Sequence, residues 1–186
     1  CKKYTKMIKE EIKPEMILPS HGPVYKNPSF ILDAYEEWTA DECKNLVLLP
    51  YVSMYGSTEE MIDYVAKQLK EKGIQTMKFD IVDGDLGDLA MGLVDAATIV
   101  LGSSMVLAGP HPMAANVAYL AGVLRPKARF ASFIGSYGWG DGEWMRTWEN
   151  DCMTLGVTMA CEPVICNATP DEAAGAELSL IHISEP

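Results

Sequence analysis

Two hydrophobic patterns alternate along residues 46–165, and they predict alternating strands and helices. Continuous apolar runs at 46–49 and 97–101 are typical of strands buried on both faces. Between 59 and 70 the apolar residues recur at helical spacing, with charged side chains opposite them. Further strands are predicted at 74–82, 129–134 and 157–165, and further helices at 85–95, from 112 onward and at 143–155. This alternation implies right-handed crossovers, so we expect an α/β fold with a five-stranded parallel sheet, order 2-1-3-4-5, and helices on both faces.

The first 43 residues follow a different pattern. A short helix is expected before Pro14, because the residue that precedes a proline disfavours helical geometry. A strand end and a Ser-His-Gly-Pro turn at 20–23 come next, and a helical pattern at 28–43 reads as a helix that links two domains. We therefore expect an N-terminal remnant at 1–43 and a main domain at 44–177. The last residues, 178–186, fit poorly as a final helix and resemble translated adapter read-through, so a non-native or disordered tail is expected there.

Charge and cysteine content narrow the class of protein. The 186 residues carry 26 acids and 15 bases, for a formal net charge of −11. Nucleic acid binding needs a basic patch and is therefore disfavoured, whereas partners with a positive patch suit this surface. No apolar run approaches the length of a membrane span. Five cysteines without a CxxC pair signal neither a disulfide framework nor a zinc site, so we expect buried, reduced thiols in a cytoplasmic protein.

A hydroxyl-rich turn follows the first buried strand and precedes a helix. In such a turn the free N–H groups and the dipole of the helix favour an anion. Because no Lys or Arg lies between Asn45 and Ala66, the turn does not suit a nucleoside triphosphate. Hydroxyls and amides suit a single phosphate, as in flavin mononucleotide (FMN), whose common host is a flavodoxin-like sheet. The candidate residues are Ser53, Met54, Tyr55, Gly56, Ser57 and Thr58. In the alternative interpretation, Ser57 only caps the helix and Glu60 completes a capping box.

Two more loops, at 103–110 and 136–141, are expected at the same edge of the sheet. The first could cover a flat ring with Met105 or Leu107, and the second could stack Tyr137 or Trp139 on it among glycines. The alternative is that these two aromatic residues pack on the next helix. The candidate residues are Ser103, Ser104, Met105, Val106, Leu107, Gly109, Ser136, Tyr137, Gly138, Trp139 and Gly140.

Four motifs carry a family resemblance: ILPSHGPV at 17–24, YVSMYGSTEEM at 51–61, LGSSMVLAGPHP at 101–112 and IGSYGWGDGEW at 134–144. By these motifs residues 16–165 resemble the C-terminal part of a flavodiiron protein. The resemblance implies a β-lactamase-like diiron domain followed by a flavodoxin-like FMN domain. It also implies reduction of dioxygen to water or of nitric oxide to nitrous oxide, and a head-to-tail homodimer. Rubredoxin, a reduced deazaflavin or a flavin reductase would supply the electrons.

The resemblance also assigns roles to residues. His21, which by its spacing reads as an ordinary turn histidine, matches the last histidine ligand of the diiron centre. The 53–58 turn matches the phosphate loop, and the 103–109 and 136–140 loops match those that clasp the isoalloxazine. The SSMVLAG sequence at 103–109 departs from the family's usual Pro-Thr pair and asparagines, so we expect backbone contacts to be kept there more than side-chain contacts. The other diiron ligands would lie before residue 1, so we expect a fragment that cannot build the metal site.

The predicted function is that of an FMN-binding electron-transfer domain serving a diiron oxygen or nitric oxide reductase. No residue of the chain is expected to act as acid, base or nucleophile. One alternative is a stand-alone flavodoxin-like electron carrier. A phosphoacceptor receiver domain is a weaker alternative, because the first strand leads into Ser53 and the third ends at Gly102, where a receiver needs acids.

Overall fold

The computed structural model describes residues 1–144 and 157–170. The chain divides into two compact units, Cys1–Glu42 and Cys43–Pro186. The predicted helix at 143–155 lies outside the described residues except for its first two positions, and the predicted tail at 178–186 and Cys152 lie wholly outside them. Among the helices that are described, none combines the length and the apolar character needed to cross a membrane.

The first unit contains two helical segments joined by a loop. α1 (Lys2–Met7) continues as a π-helix (Ile8–Ile12), which ends at Lys13 in a left-handed conformation directly before Pro14. α2 spans Pro28–Thr39, so the second helix is shorter than the predicted 28–43. Ile17 and Tyr25 exchange two backbone hydrogen bonds of 3.0 Å, and the Ser-His-Gly-Pro turn lies between them. Lys9 joins the two helical segments, because its ammonium contacts Glu36 and lies 2.7 Å from Asp33 Oδ1.

The second unit is a parallel sheet with helices on both faces. Its strands are β1 (Lys44–Val52), β2 (Gln75–Asp80), β3 (Ala96–Val106), β4 (Gly109–Pro110), β5 (Phe130–Tyr137), β6 (Thr158–Met159) and β7 (Val164–Asn167). Its described helices are α3 (Ser57–Glu71), α4 (Leu86–Asp95) and α5 (Pro112–Leu124). The strand order is β2-β1-β3-β5-β6, and β7 also pairs with β5. The flavodoxin-like α/β fold predicted from the sequence is confirmed.

Two details of the sheet differ from the prediction. The expected fifth strand is split into β6 and β7, both parallel to β5, and Pro163 lies in the gap where it can donate no ladder hydrogen bond. β3 continues to Val106 rather than ending at 101, because it pairs with β4 in an antiparallel hairpin. The first half of the predicted 103–110 loop is therefore strand, and only Leu107 and Ala108 form its turn.

The core lies on both faces of the sheet, because successive strand residues point to opposite sides. α3 covers one face with Met61, Ile62, Val65 and Leu69, which pack with Val47 and Leu49 of β1, Val100 of β3 and Ile134 of β5. α4 and α5 cover the other face, where Leu89, Leu93 and Val117 pack with Leu48, Ile99 and Phe133. The apolar face predicted for the helix after residue 59 is confirmed. The expectation that the cysteines are buried is wrong for most of them: of the four described, Cys166 alone is buried, and Cys1 is exposed.

Candidate functional site: a cleft at the carboxyl ends of the central strands

The turn between β1 and α3 is closed by a glycine and by a hydrogen bond to a serine side chain. Gly56 is the N-cap residue, with φ of 92°, a left-handed conformation that glycine adopts without strain. The backbone N–H of Gly56 donates to Ser53 Oγ at 3.1 Å. Ser57 is already the first helical residue, and no side chain caps the helix. The alternative interpretation, a capping box of Ser57 and Glu60, is therefore wrong.

The turn leaves donors for a ligand. The backbone N–H groups of residues 57–59, at the start of α3, have no acceptor within the helix, because no helical turn precedes them. The Ser57 hydroxyl makes no hydrogen bond to any residue that the structure describes. Thr58, in contrast, is fully buried, and its hydroxyl lies 2.8 Å from Ser136 Oγ. That bond ties the start of α3 to the end of β5, so Thr58 positions the turn and does not present its hydroxyl to a ligand.

The three predicted segments meet around one cleft of about 390 Å³. Its lining comprises Met54, Tyr55, Ser57, Ser104, Met105, Ser136, Tyr137, Gly138 and Trp139, together with Ala168 and Thr169. An adjoining hollow of about 360 Å³ shares Met105 and Trp139 with the cleft and is also lined by Leu107 and Gly140. The remaining predicted residues line neither space: Ser53, Gly56, Thr58, Ser103, Val106 and Gly109.

Ser103 and Ser104 are adjacent in β3 and differ in their partners. Ser103 Oγ donates to the Ser104 carbonyl at 2.9 Å and accepts from the His111 N–H at 3.0 Å. Its hydroxyl is thus used to hold the β3–β4 hairpin against the start of α5. Ser104 pairs in register with Ser136 of β5, and its buried Oγ has no hydrogen-bond partner in the described structure. Such an orphan hydroxyl is unusual in a folded protein and needs a reason.

The exposed side chains at the rim are mostly apolar. Tyr55 is 93% exposed, Leu107 79% and Trp139 62%. Most of the Trp139 side chain is therefore open to solvent, and the helix on which the alternative interpretation packs it lies outside the described residues except for its first two positions. Tyr137 is half-buried, and a side chain at Gly142 would come within 3.1 Å of its ring. The rim offers apolar and aromatic surface to a flat group.

The sequence-based prediction missed one wall of the cleft, Ala168 and Thr169, which follow β7. Ala168 has a left-handed backbone, with φ of 59°, and its N–H donates to the Tyr137 carbonyl at 2.7 Å. A non-glycine residue in this conformation costs about 1 kcal/mol or more, and such strain concentrates at functional sites. No glycine or hydroxyl-rich motif marks these residues, and their position just after the last predicted parallel strand was the one signal available in the sequence.

A charged network lies behind the first turn of α3. The buried Tyr51 hydroxyl donates to Glu59 Oε1 at 3.0 Å, and Lys78 Nζ of β2 lies 3.9 Å from the same oxygen. Lys78 also pairs with Asp63 and lies 5.3 Å from the centre of the Tyr51 ring. Burial, reinforced by the bond to the Glu59 carboxylate, raises the pKa of Tyr51 well above its ordinary value. Tyr51 is therefore held neutral, as a hydrogen-bond donor.

His21 lies in the first unit and is exposed, within the loop closed by Ile17 and Tyr25. The described part of the chain contains no group of three or more potential metal ligands. One imidazole does not hold a metal, so the assignment of His21 as a diiron ligand stays a prediction.

The fold and the cleft define a flavodoxin-like α/β protein, and comparison with solved structures agrees. The chain superposes on a rubredoxin oxygen:oxidoreductase from Desulfovibrio gigas with a TM-score of 0.87 at 24% identity, covering 97% of this chain and 45% of that one. It superposes on an archaeal flavodoxin with a TM-score of 0.61 at 22% identity, covering 73% of this chain and 92% of the flavodoxin.

Sequence comparison identifies the family. The coenzyme F420H2 oxidase of Methanothermobacter marburgensis is 28% identical over 151 residues, which are 80% of this chain and 37% of that protein. No protein-family model matches the chain. The chain's homologues are flavodiiron proteins, which confirms the family predicted from its motifs. Eight curated relatives that the chain matches, the oxidase among them, are each covered over only 30–41% of their own length.

Proposed function

We propose that this chain is the FMN-binding electron-transfer part of a flavodiiron oxygen or nitric oxide reductase. The observation that carries the proposal is the cleft itself. A turn of hydroxyls and amides without a cation faces a glycine-rich loop with aromatic side chains across it. That combination suits one phosphate at one end and a flat, apolar ring system at the other.

The residues around the cleft fit FMN on structural grounds. The cleft and the adjoining hollow, at about 390 and 360 Å³, lie within the size range of small-molecule sites. The Ser104 hydroxyl is buried without a partner beside the cleft, as a group that is satisfied only when a ligand is bound would be. Trp139 and Leu107 are exposed, and contact with a bound ring would bury part of their apolar surface.

Different residues would bind the two ends of FMN. The Ser57 hydroxyl and the N–H groups at 57–59 would bind the phosphate, where the helix dipole favours negative charge. Met105, Tyr137 and Trp139 would hold the ring and exclude water from it. When bound, FMN would supply the redox chemistry, accepting electrons from a donor and passing them on. The protein's part is to bind and orient it, and no side chain acts as acid, base or nucleophile.

The wider assignment concerns the whole protein, of which this chain covers a part. We propose that residues 1–43 are the end of a β-lactamase-like diiron domain, in which His21 is one ligand and the others come from sequence preceding Cys1. The relatives' names include an oxidase of coenzyme F420H2 and a rubredoxin-linked enzyme, so we propose a reduced deazaflavin or a rubredoxin-like protein as the donor. The net charge of −11 suits docking to a partner with a positive patch. A head-to-tail homodimer is proposed for the full-length parent.

The second candidate is a stand-alone flavodoxin-like carrier. One observation favours it: 73% of the chain covers 92% of an archaeal flavodoxin, so nearly the whole of that flavodoxin's fold is present in this chain. The two candidates share the FMN cleft and differ in what precedes Cys1. A reading frame that continues upstream with carboxylate and histidine ligands supports the reductase, whereas an upstream stop codon supports the carrier.

Flavin binding is tested by titrating the purified chain with FMN and with riboflavin, which lacks the phosphate. We expect quenched flavin fluorescence, a shifted visible absorption band and clearly tighter binding of FMN than of riboflavin. Ser57→Glu, which places a carboxylate beside the free N–H groups, should weaken FMN binding at least tenfold and leave riboflavin binding nearly unchanged. Absence of a bound flavin band at excess FMN would reject the proposal.

A further inference from the structure

The acidic residues beside the proposed phosphate turn raise an electrostatic problem. Glu59 and Glu60 lie in the first turn of α3, and Asp63 lies one turn further on. A carboxylate in this turn interacts favourably with the helix dipole, so it competes with any anion for the same positive helix end. No Lys or Arg lies between Asn45 and Ala66 to offset it. A cation from elsewhere in the chain that offsets these carboxylates would therefore favour binding of a dianion at this turn.

The second strand supplies that cation. β2 lies beside β1 in register, with Lys78 opposite Leu49 and Asp80 opposite Tyr51, and Leu49 and Tyr51 both lie in the core cluster under α3. Lys78 thus stands on the face of the sheet that α3 covers. There it contacts Asp63 and lies 3.9 Å from Glu59 Oε1, while Tyr51 donates to the same Glu59 oxygen at 3.0 Å.

We propose that Lys78 and Tyr51 are positioning residues for the phosphate site: they hold and neutralise Glu59 so that a phosphate dianion can bind at the start of α3. This inference rests on the proposed FMN function and names residues that touch neither the cleft nor its ligand. Lys78 is partly exposed, with 34% of its side chain open to solvent, so its effect is screened but not abolished. Tyr51 is buried and fixes which way the carboxylate points.

The geometry makes the effect specific to the phosphate. Glu59 is two residues beyond Ser57, within the turn whose N–H groups would bind the anion. Without Lys78 no nearby cation offsets the negative charge of Glu59, and at a separation of about one helical turn this uncompensated charge weakens a dianion's binding by roughly two- to tenfold. A ligand without a phosphate carries no charge for Glu59 to repel.

The test compares FMN and riboflavin affinities of the full chain for Lys78→Gln, Glu59→Gln and the double variant. We expect Lys78→Gln to weaken FMN binding roughly two- to tenfold, with a smaller effect in 1 M salt, and to leave riboflavin binding unchanged. Glu59→Gln should tighten FMN binding, and adding it to Lys78→Gln should restore at least the wild-type affinity. Lys67→Gln is the matched control, because it removes the same charge from an exposed position eight residues beyond Glu59 on α3.

The outcomes separate this inference from the proposed function. Equal loss of FMN and riboflavin binding in Lys78→Gln, or no recovery in the double variant, would show a structural role only and overturn the inference. An unchanged FMN affinity in Lys78→Gln, or an equal loss in Lys67→Gln, would overturn it too. All these results leave FMN binding by the wild-type chain in place, whereas a wild-type chain that binds no FMN rejects both.

Discussion

Buried hydroxyls in the central strands and at the start of α3 are of two kinds. Ser103, Thr58 and Ser136 have partners and hold neighbouring segments together. Thr98 and Ser104, six residues apart on β3, have buried hydroxyls without hydrogen-bond partners among the described residues. Leaving a buried polar group unsatisfied costs about 1–3 kcal/mol, so each of the two is a local loss of stability. Only Ser104 lines the cleft, which gives a reason for its cost.

The two orphan hydroxyls make a matched pair of substitutions. We expect Ser104→Ala and Thr98→Val each to leave the free energy of unfolding of the ligand-free chain unchanged or raise it by about 1 kcal/mol. Only Ser104→Ala should weaken FMN binding, by about threefold or more. Urea denaturation and fluorescence titration measure the two quantities. Destabilisation of the ligand-free chain by Ser104→Ala would mean that the hydroxyl has a partner after all.

Tyr51 predicts the response of the fold to alkali. Its pKa is raised above the ordinary value of 10.0, first by burial and then by the hydrogen bond to Glu59. Above pH 10 the unfolded chain releases this proton while the folded chain retains it, so the free energy of unfolding falls as pH rises. We expect Tyr51→Phe to be less stable at neutral pH but to lose less stability between pH 9 and pH 11, as measured by urea denaturation. Parallel curves for the two proteins would contradict the assignment.

At the scale of elements, the site depends on how closely α3 approaches the sheet. Gly102 of β3 lies directly under the start of this helix. A Cβ at this position would be 2.9 Å from Tyr51 Cβ and 3.1 Å from both Thr58 Cγ2 and Ile62 Cγ1. The glycine therefore sets the distance between the first turn of α3 and β3, and with it the bond from Thr58 to Ser136.

Substitution of this glycine tests that packing. We expect Gly102→Ala to destabilise the chain by about 1–3 kcal/mol, because the added methyl group overpacks the helix–sheet contact. It should also weaken FMN binding by displacing the phosphate turn. Gly109→Ala is the control, since nothing lies within 4 Å of its added Cβ, and its free energy of unfolding should stay within about 0.5 kcal/mol of the wild type. Equal stability of both variants in urea would refute the close approach.

At the scale of the whole molecule, every residue that lines the cleft and the adjoining hollow belongs to the second unit. The sheet, its two core clusters and the Lys78 network also belong to that unit. The first unit contains His21 and two helical segments and contributes none of the described residues that line the cleft. The division between the units thus coincides with the division of labour that we propose, in which one unit belongs to a metal domain and the other binds FMN.

This division predicts that the second unit functions alone. We expect a chain of residues 43–186 to fold and to bind FMN with an affinity within about threefold of that of the full chain. Circular dichroism and fluorescence titration check both properties. A chain of residues 1–42 should bind no flavin and serves as the control. Loss of FMN binding on removal of residues 1–42 would show that the first unit supports the cleft.

The sequence by itself determined the sheet, the apolar face of α3 and the three segments that meet at the cleft. These follow from local information: the period of apolar residues separates strand from helix, and parallel strands place their carboxyl ends at one edge. The turn at 53–58 was sufficient to indicate a phosphate site, because hydroxyls, one glycine and no cation occur together there, and the four motifs at 17–24, 51–61, 101–112 and 134–144 together indicated the family.

Only the tertiary structure decided which of those residues line the cleft. Neither the length of β3 nor the partners of Ser103 could be predicted, because both depend on pairing with β4 and on the position of His111. Ala168 lines the cleft from just beyond the carboxyl end of β7, and Lys78 lies 3.9 Å from Glu59 although it belongs to a strand nearly twenty residues away. Contacts between residues far apart in the chain are set by packing and register, which leave no local pattern in the sequence.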